Sequence, residues 1–139
     1  MDEDVDIQRL NESLKQADLP GAIEFYKETM LLKPGNTEVI EALGYCYIMA
    51  GNWPEAAEMF EELNANCMNR QCDTYLELLA LCTMNANHYS SALKHYTRLS
   101  VEKRDDAQFW LDMGQAALGA GNAKKAYMCS QRSLAIESD

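Results

Sequence analysis

The chain lacks most of what catalysis or metal binding leaves in a sequence. It has only two histidines, His88 and His95, and no phosphate-binding loop, Cys-x2-Cys pair or His-Glu-x2-His motif. The histidines lie on one helical stretch, two turns or roughly 10 Å apart, too far for a single metal ion. Ser90 and Ser91 neighbour His88, but no acid accompanies them with a reason to orient the imidazole. No enzyme, metal or cofactor is expected. Glycines (7) and prolines (3) are sparse and no strand-like alternation is sustained, which leaves an all-α chain. The longest strongly apolar uncharged run, Ala42 to Pro54, falls far short of the roughly 20 residues a membrane span needs.

Positive charge is also scarce. Twelve Lys and Arg face 22 Asp and Glu, for a net charge of −10, a balance that opposes nucleic acid and anionic membrane. The deficit is uneven: residues 37–72 hold six acids and one base, whereas residues 107–139 hold three of each. This describes either a solvated acidic surface or one that steers toward a basic partner. Five cysteines, an odd number without paired spacing, are expected to be free thiols of a reducing, cytoplasmic compartment. The first ten residues are acidic, opposite to the basic start of a signal peptide.

What is present is a recurring pair of short amphipathic helices, clearest from Thr37 to Leu63. Ile40, Leu43, Tyr47 and Ile48 make one apolar face, and Gly44 within it marks the close approach of another helix. Gly51-Asn52 turns the chain, and Trp53-Pro54-Glu55 opens a second helix with Glu58, Glu61 and Glu62 toward solvent. In the second helices Ala22, Ala56, Ala92 and Ala126 recur at spacings of 34, 36 and 34. Four residues on stand Tyr26, Phe60, Tyr96 and, in the last unit, Ser130. The first helices carry Gly44, Ala80 and Gly114 as small residues, with Cys46 and Cys82 two places later as expected core thiols. The expected turns are Ala17-Asp18, Gly51-Asn52, Asn87-His88 and Gly121-Asn122.

A helix-turn-helix period of 34 with these small and large positions resembles the tetratricopeptide repeat family. Leu43-Gly44-x2-Tyr47, Ala56 and Phe60 carry the resemblance in the second unit, and Trp110-x2-Met113-Gly114, Gly121 and Ala126 in the fourth. It implies a right-handed superhelical solenoid of four units over residues 3–36, 37–72, 73–106 and 107–139, one domain in all. Two extra residues fall between the second and third units, near Cys67 to Cys72, and the closing proline is replaced there by Met68 and Arg104. The first helix of unit one keeps only Ile7, Leu10 and Leu14 as strong apolar residues, and the last helix is modest, so both ends read as caps. The chain stops close to a repeat boundary, as expected of a domain cut from something longer.

In this family the first helices line a groove. Carried onto this chain, the groove residues are Glu38, Glu41, Tyr45, Ile48 and Met49, then Glu77, Leu81 and Met84, then Leu111, Gln115 and Leu118. The Lys/Asn/Lys/Arg clamp by which some members hold acidic C-terminal tails is missing: Ile7, Ala42, Thr74 and Leu78 stand there, with only Asn11 matching. An apolar row beside glutamates instead suits a partner segment with apolar anchors and a Lys or Arg. Leu43-Gly44-x-Cys46, Gly51, Ala56 and Cys82 are also similar to the class II chaperones of type III secretion, which implies a cytosolic chaperone of a secreted protein. The alternative is a scaffold or adaptor within a larger assembly. A weak homodimer through an end or the groove is expected as well.

Overall fold

A computed structural model of the protein describes residues 18–68 and 71–138. The expected first helix of unit one, with Ile7, Leu10 and Leu14, lies outside the described residues. Among the described residues there are seven helices: α1 (Leu19–Leu32), α2 (Thr37–Ala50), α3 (Trp53–Ala65), α4 (Gln71–Asn85), α5 (Tyr89–Leu99), α6 (Ala107–Gly119) and α7 (Ala123–Ser138). There is no strand among the described residues, so the all-α class and the helix-turn-helix construction hold.

Local chemistry fixes where these helices start and stop. Asn36 and Asp106 cap α2 and α6, their side chains accepting from the Val39 and Phe109 amides at 3.2 Å. At the end of α2 the Gly51 amide donates to the Ile48 carbonyl (3.0 Å) and the Asn52 amide to the Tyr47 carbonyl (2.8 Å). The same two bonds recur after α4, from Asn87 and His88, and after α6, from Gly121 and Asn122. The residue at the corner has positive φ each time: 77° at Gly51, 64° at Asn87 and 82° at Gly121. This repeated corner places Trp53, Tyr89 and Ala123 at the start of the returning helix.

The described chain forms two compact units, one ending at Ala65 and the other running from Asn66. In the first, α2 packs against both α1 and α3; in the second, α4 pairs with α5, α5 with α6 and α6 with α7. The recurring alanines Ala22, Ala56, Ala92 and Ala126 are all buried, as are Tyr26, Phe60 and Tyr96. Gly44 shows why the small residue is required. A Cβ there would lie 2.9 Å from two ring carbons of Phe60 and 3.3 Å from the Met59 Cβ. At Gly114 the corresponding Cβ would meet the Cys129 Cβ at 3.3 Å with no ring above it, since Ser130 replaces the aromatic residue. The buried Thr83 and Ser133 hydroxyls are bonded: Thr83 donates to the Leu79 carbonyl (2.7 Å), and Ser133 to the Ala107 carbonyl (3.0 Å), which ties α7 to α6.

The thiol expectation requires correction. Cys67 and Cys72 are joined in a disulfide, with Cα atoms 5.6 Å apart, and only Cys46, Cys82 and Cys129 are free, all three buried. A separation of five residues matches no common pairing motif, but the start of α4 folds Cys72 back to Cys67. The inference of a reducing compartment from five free thiols therefore no longer stands. Cys46 and Cys82 are core thiols as expected, pushed by burial from 9.0 up to about 11. No helix among the described residues is long and apolar enough to cross a membrane.

Candidate protein-binding surface

The helices that come first in each pair present one face to their partner and another to solvent, and the expected groove residues fall on the second. On α2, Glu38, Glu41, Tyr45 and Met49 follow one stripe at helical spacing, with Ile48 at its edge. Tyr45 is 39% and Met49 60% exposed, while Glu41 and Ile48 are half-buried. Tyr45 also reaches inward. Its ring stands edge-on to the buried Phe60 with centroids 5.5 Å apart, so it serves both the core and the surface. Burial, then the neighbouring Glu41 carboxylate, pushes its phenol above the usual range.

In the second unit, Glu77, Leu81 and Met84 form a stripe on α4, and Leu111, Gln115 and Leu118 another on α6. Leu81, Leu111 and Leu118 are 41%, 38% and 63% exposed. The two stripes do not share one cavity. Glu77 and Leu81 line a cavity of about 240 Å³ together with Tyr96 and Leu99 of α5, Lys103 and Asp106 of the following loop, and Phe109 and Asp112 of α6. Leu111, Gln115 and Leu118 lie outside it.

Lys103 is the residue the sequence did not reveal. Its ammonium group sits 2.6 Å from a Glu77 carboxylate oxygen, and that hydrogen bond, followed by the charge itself, raises the Lys103 pKa. Glu77 is thus already paired, so a ligand's cation would have to displace Lys103. The floor of the cavity is aromatic: Tyr96 and Phe109 meet edge to face at 5.7 Å, and burial, then Asp112, pushes the Tyr96 phenol up to about 12. Gly119, at the end of the α6 groove face, instead receives the Tyr89 ring, which a Cβ at this position would overlap. On α7, expected to be a modest polar cap, Tyr127, Met128 and Leu134 are exposed. No group of three His, Cys, Asp or Glu able to hold a metal occurs among the described residues.

Comparison with known proteins fits this geometry. The tetratricopeptide repeat family matches over residues 13–82, half of the chain. The chain belongs to the tetratricopeptide repeat family. As a tetratricopeptide repeat chain it has the fold of a protein-interaction module. BBSome complex member BBS4 of Bos taurus is 29% identical over 121 residues, 86% of this chain and 22% of that protein. The chain thus spans about a fifth of that relative's length. Among solved structures, MamA from Desulfovibrio magneticus RS-1 is similar with a TM-score of 0.79 and 15% identity, over 97% of this chain and 75% of that one. Another crystal structure of MamA gives 0.74 and 19%, over 93% and 74%. At these identities the likeness is one of fold.

Proposed function

We propose that the chain is an adaptor or scaffold element that holds partner-protein segments on exposed helix stripes, that of α2 in the first unit and those of α4 and α6 in the second. One observation carries this. Tyr45, Met49, Leu81, Leu111 and Leu118 stay open at equivalent faces of these three helices, while Leu43, Ala80, Met113 and their neighbours are buried against the paired helix. The similarity to BBS4, a member of the BBSome complex, favours an assembly role. The residues that suggested a secretion chaperone, Leu43, Gly44, Cys46, Ala56 and Cys82, are each buried within a helix pair, and Gly51 makes a turn. They serve the fold.

A segment held on α2 carries an apolar anchor for Tyr45 and Met49 and a cation for Glu38 or Glu41, and one held on α4 and α6 carries apolar anchors for Leu81, Leu111 and Leu118. The same stripes also support weak, concentration-dependent pairing of two copies. The test is affinity capture with wild-type protein and the variants Leu81→Ala, Leu118→Ala and Glu58→Lys, each checked by circular dichroism. The two leucine variants lose the partner at unchanged helicity and melting temperature, and Glu58→Lys retains it. Capture that survives both leucine changes but fails with Glu58→Lys would overturn the proposal.

A further inference from the structure

On this strongly acidic chain, two helices of the second unit are basic. Helix α5 has no acidic residue and carries Lys94 and Arg98; α7 carries Lys124, Lys125 and Arg132 against a single acid, Glu137. Both helices pack on α6, and a cavity of about 620 Å³ opens between α5 and the start of α7. Lys94, Arg98 and Lys125 line it, with Leu93 and Ala120 as apolar floor and Ser90, Thr97 and Asn122 as polar rim. Lys94 and Arg98 stand four residues apart on α5, a like-charge spacing that weakens a helix. None of the three cations has an ion pair among the described residues.

We propose that this cavity is a second docking site, for an acidic segment of a partner protein that sets an apolar side chain on the Leu93 and Ala120 floor and its carboxylates against Lys94, Arg98 and Lys125. Charge complementarity selects the occupant. Among the described residues no Asp or Glu lines the cavity, and with a Debye length of about 8 Å at physiological salt a bound segment feels most the cations that line it. A long polyanion or a flat anionic bilayer is opposed by the net charge of −10. A cavity of this volume with an apolar floor suits a side-chain anchor. The site uses none of the residues of the α2, α4 and α6 stripes, so it stands or falls separately from them.

The probe is a short fluorescein-labelled peptide with aspartates flanking a leucine, read by fluorescence anisotropy against the full chain. Its counterpart with asparagines in place of the aspartates, and phosphatidylserine vesicles, are run beside it. The acidic peptide binds; the asparagine peptide and the vesicles do not. The double substitution Lys94→Gln with Arg98→Gln weakens binding by at least about tenfold, while Lys27→Gln and Leu81→Ala leave it unchanged at equal helicity. Equal binding of both peptides, retention by the double variant, or vesicle binding in place of peptide binding would each overturn the proposal. So would sedimentation showing that the same double substitution abolishes self-association of this chain, which would make a second copy the occupant.

Discussion

Gly44 and Gly114 occupy one repeat position, but their surroundings set opposite outcomes for the same substitution. Alanine at Gly44 pushes a methyl group into the Phe60 ring at 2.9 Å, and overpacking of this kind costs about 1–3 kcal/mol. Alanine at Gly114 meets a Cβ at 3.3 Å and gains about 1 kcal/mol of helix propensity. Urea denaturation should show Gly44→Ala destabilised and Gly114→Ala neutral or stabilised; the reverse order would contradict the packing described. The need for a small residue at both sites was legible from the period. Which of them sits beneath a ring was also legible, because Phe60 and Ser130 can be read off the chain. That Tyr89 would fill the space over Gly119 was not, because periodicity assigns a residue to a face without naming the side chain that crosses to it.

The cysteines give a second test at this scale. Three thiols, not five, should titrate in denaturant without reductant, a count that thiol reagents measure directly. Burial raises Cys46 and Cys82 from 9.0 to about 11, so their protonated form is favoured in the folded state. The stability they contribute is full below pH 9 and is lost as pH rises through about 11. Denaturation across that window should show a falling stability, with a shallower fall for the Cys46→Ala, Cys82→Ala double variant. An identical slope in both proteins would contradict this.

Among the helices, the caps and corners explain why the chain breaks where it does. Asn36→Ala and Asp106→Ala each remove an acceptor for a first-turn amide and should cost about 0.5–2 kcal/mol in thermal or urea unfolding. A loss near zero for both would mean that solvent replaces the cap. The helix starts at Trp53, Tyr89 and Ala123 could be read from the turn residues before them, because Gly51, Asn87 and Gly121 are the types that tolerate positive φ. The tie between the loop after α5 and α4 could not. Lys103 and Glu77 are distant in sequence, and only the packing of α4 against α5 brings them together. Both are partly exposed, so the pair is worth at most about 1 kcal/mol. Its consequence is for binding: Lys103→Met should leave Glu77 open and strengthen capture of a basic segment in the second unit.

Across the molecule, charge and apolar exposure are divided between different helices. The stripes on α2 and α4 set exposed large apolar residues beside glutamates, and that on α6 sets them beside Gln115. The cavity between α5 and α7 instead combines a small apolar floor with cations that have no ion pair among the described residues. The two docking surfaces proposed here have opposite charge preference, as an adaptor between two partners requires. The central claim, that the stripes contact the partner, is tested most directly by photo-crosslinking. A photoreactive amino acid is placed singly at Met49, Leu118 or Glu58, and the purified protein is irradiated with its captured partner. Crosslinks should form from Met49 and Leu118 and be absent from Glu58; crosslinks from Glu58 alone would contradict the account.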